Sequence, residues 1–158
     1  MNNKQLKNIA KAFQTAIYKA KDDGRLECDQ MFRMFPRRCC GVASELLARY
    51  ILDNVDSNSC CVKYISGTYY KEYQNHAWLV VDSDYVVDIT INQFSEKCPP
   101  LQFKENIYVG PYIDYYDIFE VNHEEWCDNH YPLDNTPVRG YMTRKQLYEI
   151  ILSYMEKD

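Results

Sequence analysis

No stretch of the sequence is continuously apolar over the length that a membrane crossing needs, and the N-terminus is polar and amphipathic. Neither a transmembrane helix nor a secretory signal is expected, and the expected location is cytoplasmic, with signal-independent export left open. Acid is missing from residues 1 to 21, which carry Lys4, Lys7, Lys11, Lys19 and Lys21. Base is missing between Lys104 and Arg139, where eight acids stand alone: Glu105, Asp114, Asp117, Glu120, Glu124, Glu125, Asp128 and Asp134. With a net charge of −5, the chain past its first 21 residues carries −10. Such a chain is a poor generic binder of nucleic acid. Its acidic stretch is most simply a solvated face; its functional reading is attraction of a basic partner or substrate. No C-x-x-C spacing marks a zinc site. Seven cysteines, four of them in the adjacent pairs Cys39–Cys40 and Cys60–Cys61, do not resemble a disulfide framework. They fit free thiols in a reducing compartment. Internal repeats, low-complexity segments and linkers are also lacking, so 158 residues read as a single domain spanning 1–158.

What is present is periodic. Leu6, Ile9, Ala10, Phe13, Ile17 and Ala20 share one face of an amphipathic helix over 1–24, ended by Gly24. Residues 25–38 are irregular. Val42, Leu46, Leu47, Tyr50 and Ile51 recur at helical spacing after Gly41, in a helix that fades near Asn54 to Ser59. Cys60 to Tyr70 reads as a strand, with Gly67 as a bend or bulge. His76 to Val81 and Tyr85 to Thr90 are short apolar runs joined by Asp82-Ser83-Asp84, a hairpin signal. A tight turn follows at Ile91 to Phe94 and a further strand at Ile107 to Tyr112. Residues 113–140 carry little pattern. Thr143 caps a closing helix over 143–157. Helices flanking sequential strands give an α+β domain with an antiparallel sheet.

Three positions carry chemistry. Cys40 falls at the start of a helix, where free N–H groups and the helix dipole favour an anion, so a thiolate forms more easily. Gly41 leaves room beside it for a second molecule. In the hairpin, a three-residue loop at 82–84 makes strand partners sum to 166, which puts Asp88 opposite Trp78 and His76 on the same face as a diagonal neighbour. A two-residue loop at 83–84 would separate them onto opposite faces. A carboxylate beside an imidazole fixes its tautomer and leaves the other nitrogen for a thiol proton. Gln93 is a polar group near this site, as an oxyanion donor, a support, or a turn residue. Trp78 packs or shields the pair, and the tyrosines at 69, 70, 112, 115 and 116 line a groove or lie on strands and surface. His123, Cys127, Asp128 and His130 fall close together, but an ordinary acidic loop is the simpler account, and no metal site is expected.

Cys-Gly-x-x-Ser (Cys40, Gly41, Ser44), His-Ala-Trp-Leu-Val-Val-Asp (His76 to Asp82) and Val-Val-Asp-Ile-Thr-x-x-Gln-Phe (Val86 to Phe94) follow in this order. Over Phe35 to Phe94 the chain resembles the papain-like and transglutaminase-like cysteine enzymes, particularly small bacterial members. That resemblance implies a papain-like or transglutaminase-like core with the nucleophile at a helix N-terminus packed on an antiparallel sheet. It implies Cys40 as nucleophile, His76 as base, Asp88 as orienting acid, and no cofactor. The implied activity is acyl transfer from an amide of a protein or peptide: proteolysis, glutamine deamidation or transglutamination. Of the cysteine pair, Cys40 adjoins Gly41 and the helix start, which leaves Cys39 to packing or a redox role. The alternative is a non-catalytic protein-binding module of the same fold using its acidic face. The oligomeric state is not legible.

Overall fold

The computed structural model describes residues 1–55, 58–94 and 98–155. Among these, three α-helices and five strands form an α+β architecture: α1 (Asn3–Asp22), α2 (Cys40–Asn54), β1 (Val62–Tyr69), β2 (Gln74–Val81), β3 (Tyr85–Asp88), β4 (Tyr108–Gly110), β5 (Glu120–Trp126) and α3 (Arg144–Ser153). No helix among the described residues is long and apolar enough to cross a membrane.

The helix ends follow their sequences. Asn2 and Gln5 form a reciprocal capping box at the start of α1, and Thr143 and Gln146 do the same for α3. Beyond α1, Gly24 takes φ +76°, a left-handed conformation suited to glycine, and its N–H donates to the Lys21 carbonyl. The expected closing helix over 143–157 is too long. Tyr154 is its C-cap, and residues 156 and 157 lie outside the described residues.

The sheet is antiparallel throughout, in the order β4-β3-β2-β1-β5. The β2–β3 register pairs Leu79 with Val87, Val80 with Val86 and Val81 with Tyr85. This is the three-residue-loop register, with Asp82 and Ser83 both at positive φ. The bulge expected at Gly67 is real: the β1–β5 register shifts between Ser66 and Gly67. A Cβ at Gly67 would lie 2.8 Å from the Glu120 carbonyl oxygen and 3.0 Å from Phe119 Cβ, so only glycine admits β5 this closely.

Strand alternation sends side chains to two cores. Ala77 excepted, the odd positions of β2 (Leu79, Val81) and Val87 of β3 share one core with Leu6, Phe13 and Ile17 of α1 and Leu46, Leu47 and Ile51 of α2, and α3 joins it through Leu147 and Ile151. The opposite face carries Trp78 and Val86 against Ile91, Cys98, Leu101, Tyr116 and Phe119. α1 therefore packs as a permanent wall. Its buried Gln14 donates from Nε2 to the carbonyls of Ile89 (2.9 Å) and Asn106 (2.7 Å), which ties down the chain just after Asp88.

Candidate active site

Cys40 is the first residue of α2. The loop before it is held by Asp29, a buried carboxylate that accepts from the N–H groups of Met31 (2.9 Å), Phe32 (2.8 Å) and Met142 (2.9 Å). Lys21 Nζ donates to the Phe35 carbonyl at 2.9 Å, and the Phe35–Pro36 peptide is cis. Arg38, two residues before Cys40, sits at φ +67°, a conformation that a side-chain-bearing residue adopts only when its surroundings impose it.

His76 and Asp88 share the sheet face that the hairpin register requires. Nε2–H of His76 donates to Asp88 Oδ2 at 2.5 Å, and both side chains are fully buried. Two more donors complete the carboxylate: the Tyr116 hydroxyl to Oδ2 at 2.9 Å and the Thr90 N–H to Oδ1 at 3.1 Å. With Nε2 occupied, Nδ1 is the nitrogen left for the thiol. The Gln93 amide lies 2.6 Å from that Nδ1; its Nε2 donates there when the ring is neutral, and with the amide reversed its oxygen accepts from Nδ1–H when the ring is charged. The Cys40 thiol lies close enough to His76, Gln93 and the Ala77 backbone for all three to favour its ionised form. Cys40, His76, Asp88 and Gln93 thus meet in one place, at the start of β2.

The electrostatics follow from these contacts. Burial opposes ionisation of Cys40, but the His76 hydrogen bond and charge, with Gln93 and the Ala77 backbone, outweigh it and hold the thiol below its ordinary value. Burial likewise opposes a charged imidazole; the Asp88 carboxylate and the Cys40 sulfur outweigh it and raise His76 to about 9. Both effects favour a thiolate–imidazolium pair. Cys39 has the opposite environment. It is buried, and its thiol is pushed up by burial and then by the charges of Cys40 and Asp29. The two thiols of the pair are therefore chemically distinguishable, and the one held below its ordinary value is Cys40. All seven cysteines are free thiols.

Aromatic rings enclose the imidazole. Trp78, Phe94, Tyr115, Tyr116 and Phe119 have ring centroids 5.3–6.5 Å from that of His76. Tyr116 corrects an expectation. It is not a groove or surface residue but buried, with its hydroxyl on Asp88. Burial, then the Asp88 charge, raises that phenol far above its usual range. Nothing local in the sequence announces this role, because Tyr116 lies in a short 3-10 helix, Asp114–Ile118, without helical periodicity. Three buried polar atoms without a partner among the described residues, Trp78 Nε1, Thr90 Oγ1 and Asn92 Oδ1, all belong to the segments flanking His76 and Asp88, where functional demands commonly override polar satisfaction.

The space beside Gly41 is also different from expectation. It is filled by the Tyr64 hydroxyl, 3.1 Å from where a Cβ would stand. Access to Cys40 comes instead from a cleft of about 550 Å³. Met34, Arg37 and Arg38 line one part of it, Tyr73, Gln74 and Asn75 another, and Gln93 and Phe94 complete it around the sulfur. His123, Cys127, Asp128 and His130 do not converge: His123 and His130 are exposed, each beside its own near neighbour, Glu125 and Asp128. Among the described residues, no group of three or more metal-binding side chains comes together. A scan of protein-family models, a search of the curated proteins and a search of the solved structures found no match for this chain.

Proposed function

We propose that this protein is a cysteine-dependent acyl-transfer enzyme acting on an amide of a protein or peptide, with a papain-like or transglutaminase-like core. The observation that carries the reading is the single cluster of a thiol held below its ordinary range, an imidazole hydrogen-bonded to a buried carboxylate, and a cleft that opens on the sulfur. In this reading the Cys40 thiolate attacks the amide carbonyl carbon and the π electrons move onto oxygen. The Cys40 N–H, at the start of α2, and the Gln93 amide are the donors available to that oxyanion. Collapse breaks the C–N bond, and Nδ1–H of His76 gives its proton to the leaving amine, leaving a thioester on Cys40. Water attacking the thioester, with His76 as base, completes hydrolysis or deamidation. An amine attacking in its place gives transglutamination. Asp88 holds the imidazole by Nε2–H throughout.

The thiol itself provides the test. Iodoacetamide should alkylate Cys40 at pH values well below the ordinary thiol range, Cys40→Ala should remove that labelling, and Cys39→Ala should keep it. If Cys40 alkylates only as an ordinary thiol does, near pH 8.5, the non-catalytic binding module becomes the better account.

A further inference from the structure

The acidic sequence favours a basic substrate, yet the cleft over Cys40 has the opposite charge. Among its described lining residues are two arginines, Arg37 and Arg38, and no acid. Among the described residues neither guanidinium has an ion-pair or side-chain hydrogen-bond partner, although this chain carries 23 acids against 18 bases. Two other arginines are paired, Arg49 with Asp53 at 3.1 Å and Arg144 with Glu45 at 2.9 Å. Arg38 is moreover held at φ +67°, beside the cysteine pair, with its side chain on the cleft. Two unpaired guanidinium groups at the mouth of a nucleophilic site, in a net acidic molecule, make a local positive focus.

We propose that the substrate presents a carboxylate close to the reacting amide, and that Arg37 and Arg38 receive it. The substrate class is then an acidic peptide segment, in which the planar guanidinium fork matches the carboxylate. The carboxylate belongs either to an Asp or Glu side chain or to a free chain terminus. The remaining walls suit an extended peptide: Gln74 and Asn75 offer amide donors and acceptors, and Met34, Tyr73 and Phe94 offer apolar contact. This assignment rests on the proposed acyl-transfer chemistry at Cys40 and deepens it.

Two small electrophiles that differ only in charge test it. Iodoacetate and iodoacetamide each lose iodide to the Cys40 thiolate, and intact mass gives both rates. The neutral reagent reports the thiol alone, and the ratio of the two rates reports attraction of a carboxylate. Replacing both arginines (Arg37→Gln with Arg38→Gln) should lower the iodoacetate-to-iodoacetamide ratio about fivefold, the effect of two partly exposed charges near the sulfur. Arg33→Gln, which removes one positive charge outside the cleft, should leave the ratio as it is. A ratio that moves equally in both variants, or in neither, overturns the assignment. Should iodoacetamide still react rapidly at about pH 6.5 in that case, the acyl-transfer reading stands and only the substrate class is wrong. A slow, ordinary thiol rate there overturns the chemistry itself. Short peptides that protect Cys40 from iodoacetamide then locate the carboxylate. A capped Asp peptide that protects better than its Ala and Lys counterparts points to a side chain. An Ala peptide that protects only with its C-terminus free points to a terminus. Equal protection by the Lys and Asp peptides counts against the assignment.

Discussion

The two faces of the sheet differ in what fills them and in where the fillers come from. On the helix side the core is mainly aliphatic, and most of it is supplied by α1, α2, α3 and the strands that face them. On the other side the core is smaller and aromatic, built on Trp78, Tyr116 and Phe119, and much of it comes from irregular chain between 89 and 119. The first face carries the fold. The second holds a charged pair, His76 and Asp88, out of water. A water-free, ring-lined enclosure strengthens the carboxylate's hold on the imidazole. The same enclosure would be costly if either partner were lost, since the survivor would be a buried ion without its counterion.

If the division holds, mutations on the two faces separate stability from thiol chemistry. Phe13→Ala on the helix side should have the largest effect. Phe13 is fully buried and packs against Tyr50 at 5.6 Å between ring centroids. Its removal should cost about 4 kcal/mol in urea denaturation, while the pH profile of Cys40 alkylation stays where it was. A profile that moves with this variant would mean that the helix face also sets the thiol.

Asp88→Asn acts on the other face. The carboxylate is the main reason His76 stands at about 9, so its neutral replacement should lower the His76 titration midpoint, read by NMR against the exposed His123 and His130. With less imidazolium present, Cys40 loses its strongest favourable partner and its pKa rises. The alkylation limb then moves up towards the ordinary thiol range. At about pH 6.5 the rate should fall by roughly tenfold or more, because below its midpoint a thiol loses about nine-tenths of its thiolate when that midpoint moves up by about 1. In the unaltered protein, alkylation rises once, through the lowered Cys40 value, and persists above pH 9. Turnover should instead fall above about 9, where His76 loses the proton owed to the leaving amine.

Gly67→Ala probes the seam between the faces. Gly67 stands opposite His76 in β2 and Val121 in β5, and its new methyl group would press on the Glu120 backbone and on Phe119. A cost of about 2 kcal/mol is expected from this overpacking. A modest loss of Cys40 reactivity should accompany it, because Phe119 lies 5.3 Å from the imidazole between ring centroids. A cost without any change in reactivity would assign Phe119 to the fold alone.

The helix face was legible because burial there repeats at 3.6 or 2 residues, and Leu6, Phe13, Ile17, Leu46 and Leu47 all obey those periods. The meeting of His76 and Asp88 was legible for the same reason: once the loop length was chosen, register followed by counting. The aromatic face was not. Tyr116 and Phe119 approach from a 3-10 turn and its exit, where spacing carries no signal. β5 escaped because Glu-Val-Asn-His-Glu-Glu-Trp is exposed at every position and has no apolar alternation. Cleft charge escaped for another reason. It is set by which loops meet around Cys40, and the bulk of the acids lie elsewhere.

Tyr116→Phe is the smallest change and the most discriminating. The ring keeps its place against Trp78, 4.7 Å away between centroids, and only the hydroxyl that donates to Asp88 is deleted. Asp88 keeps two donors, the His76 ring and the Thr90 N–H, so it stays against the imidazole. The loss should be about 1–2 kcal/mol of stability, the worth of one hydrogen bond to a charged acceptor. The His76 midpoint should remain near 9, since the charge that raises it is untouched. In Asp88→Asn the geometry survives and the charge goes; in Tyr116→Phe the charge survives and one support goes. If both variants lower the His76 midpoint equally, the imidazole is governed by how firmly Asp88 is held. If only Asp88→Asn does, it is governed by the carboxylate's charge, and the aromatic face acts by excluding water from that pair.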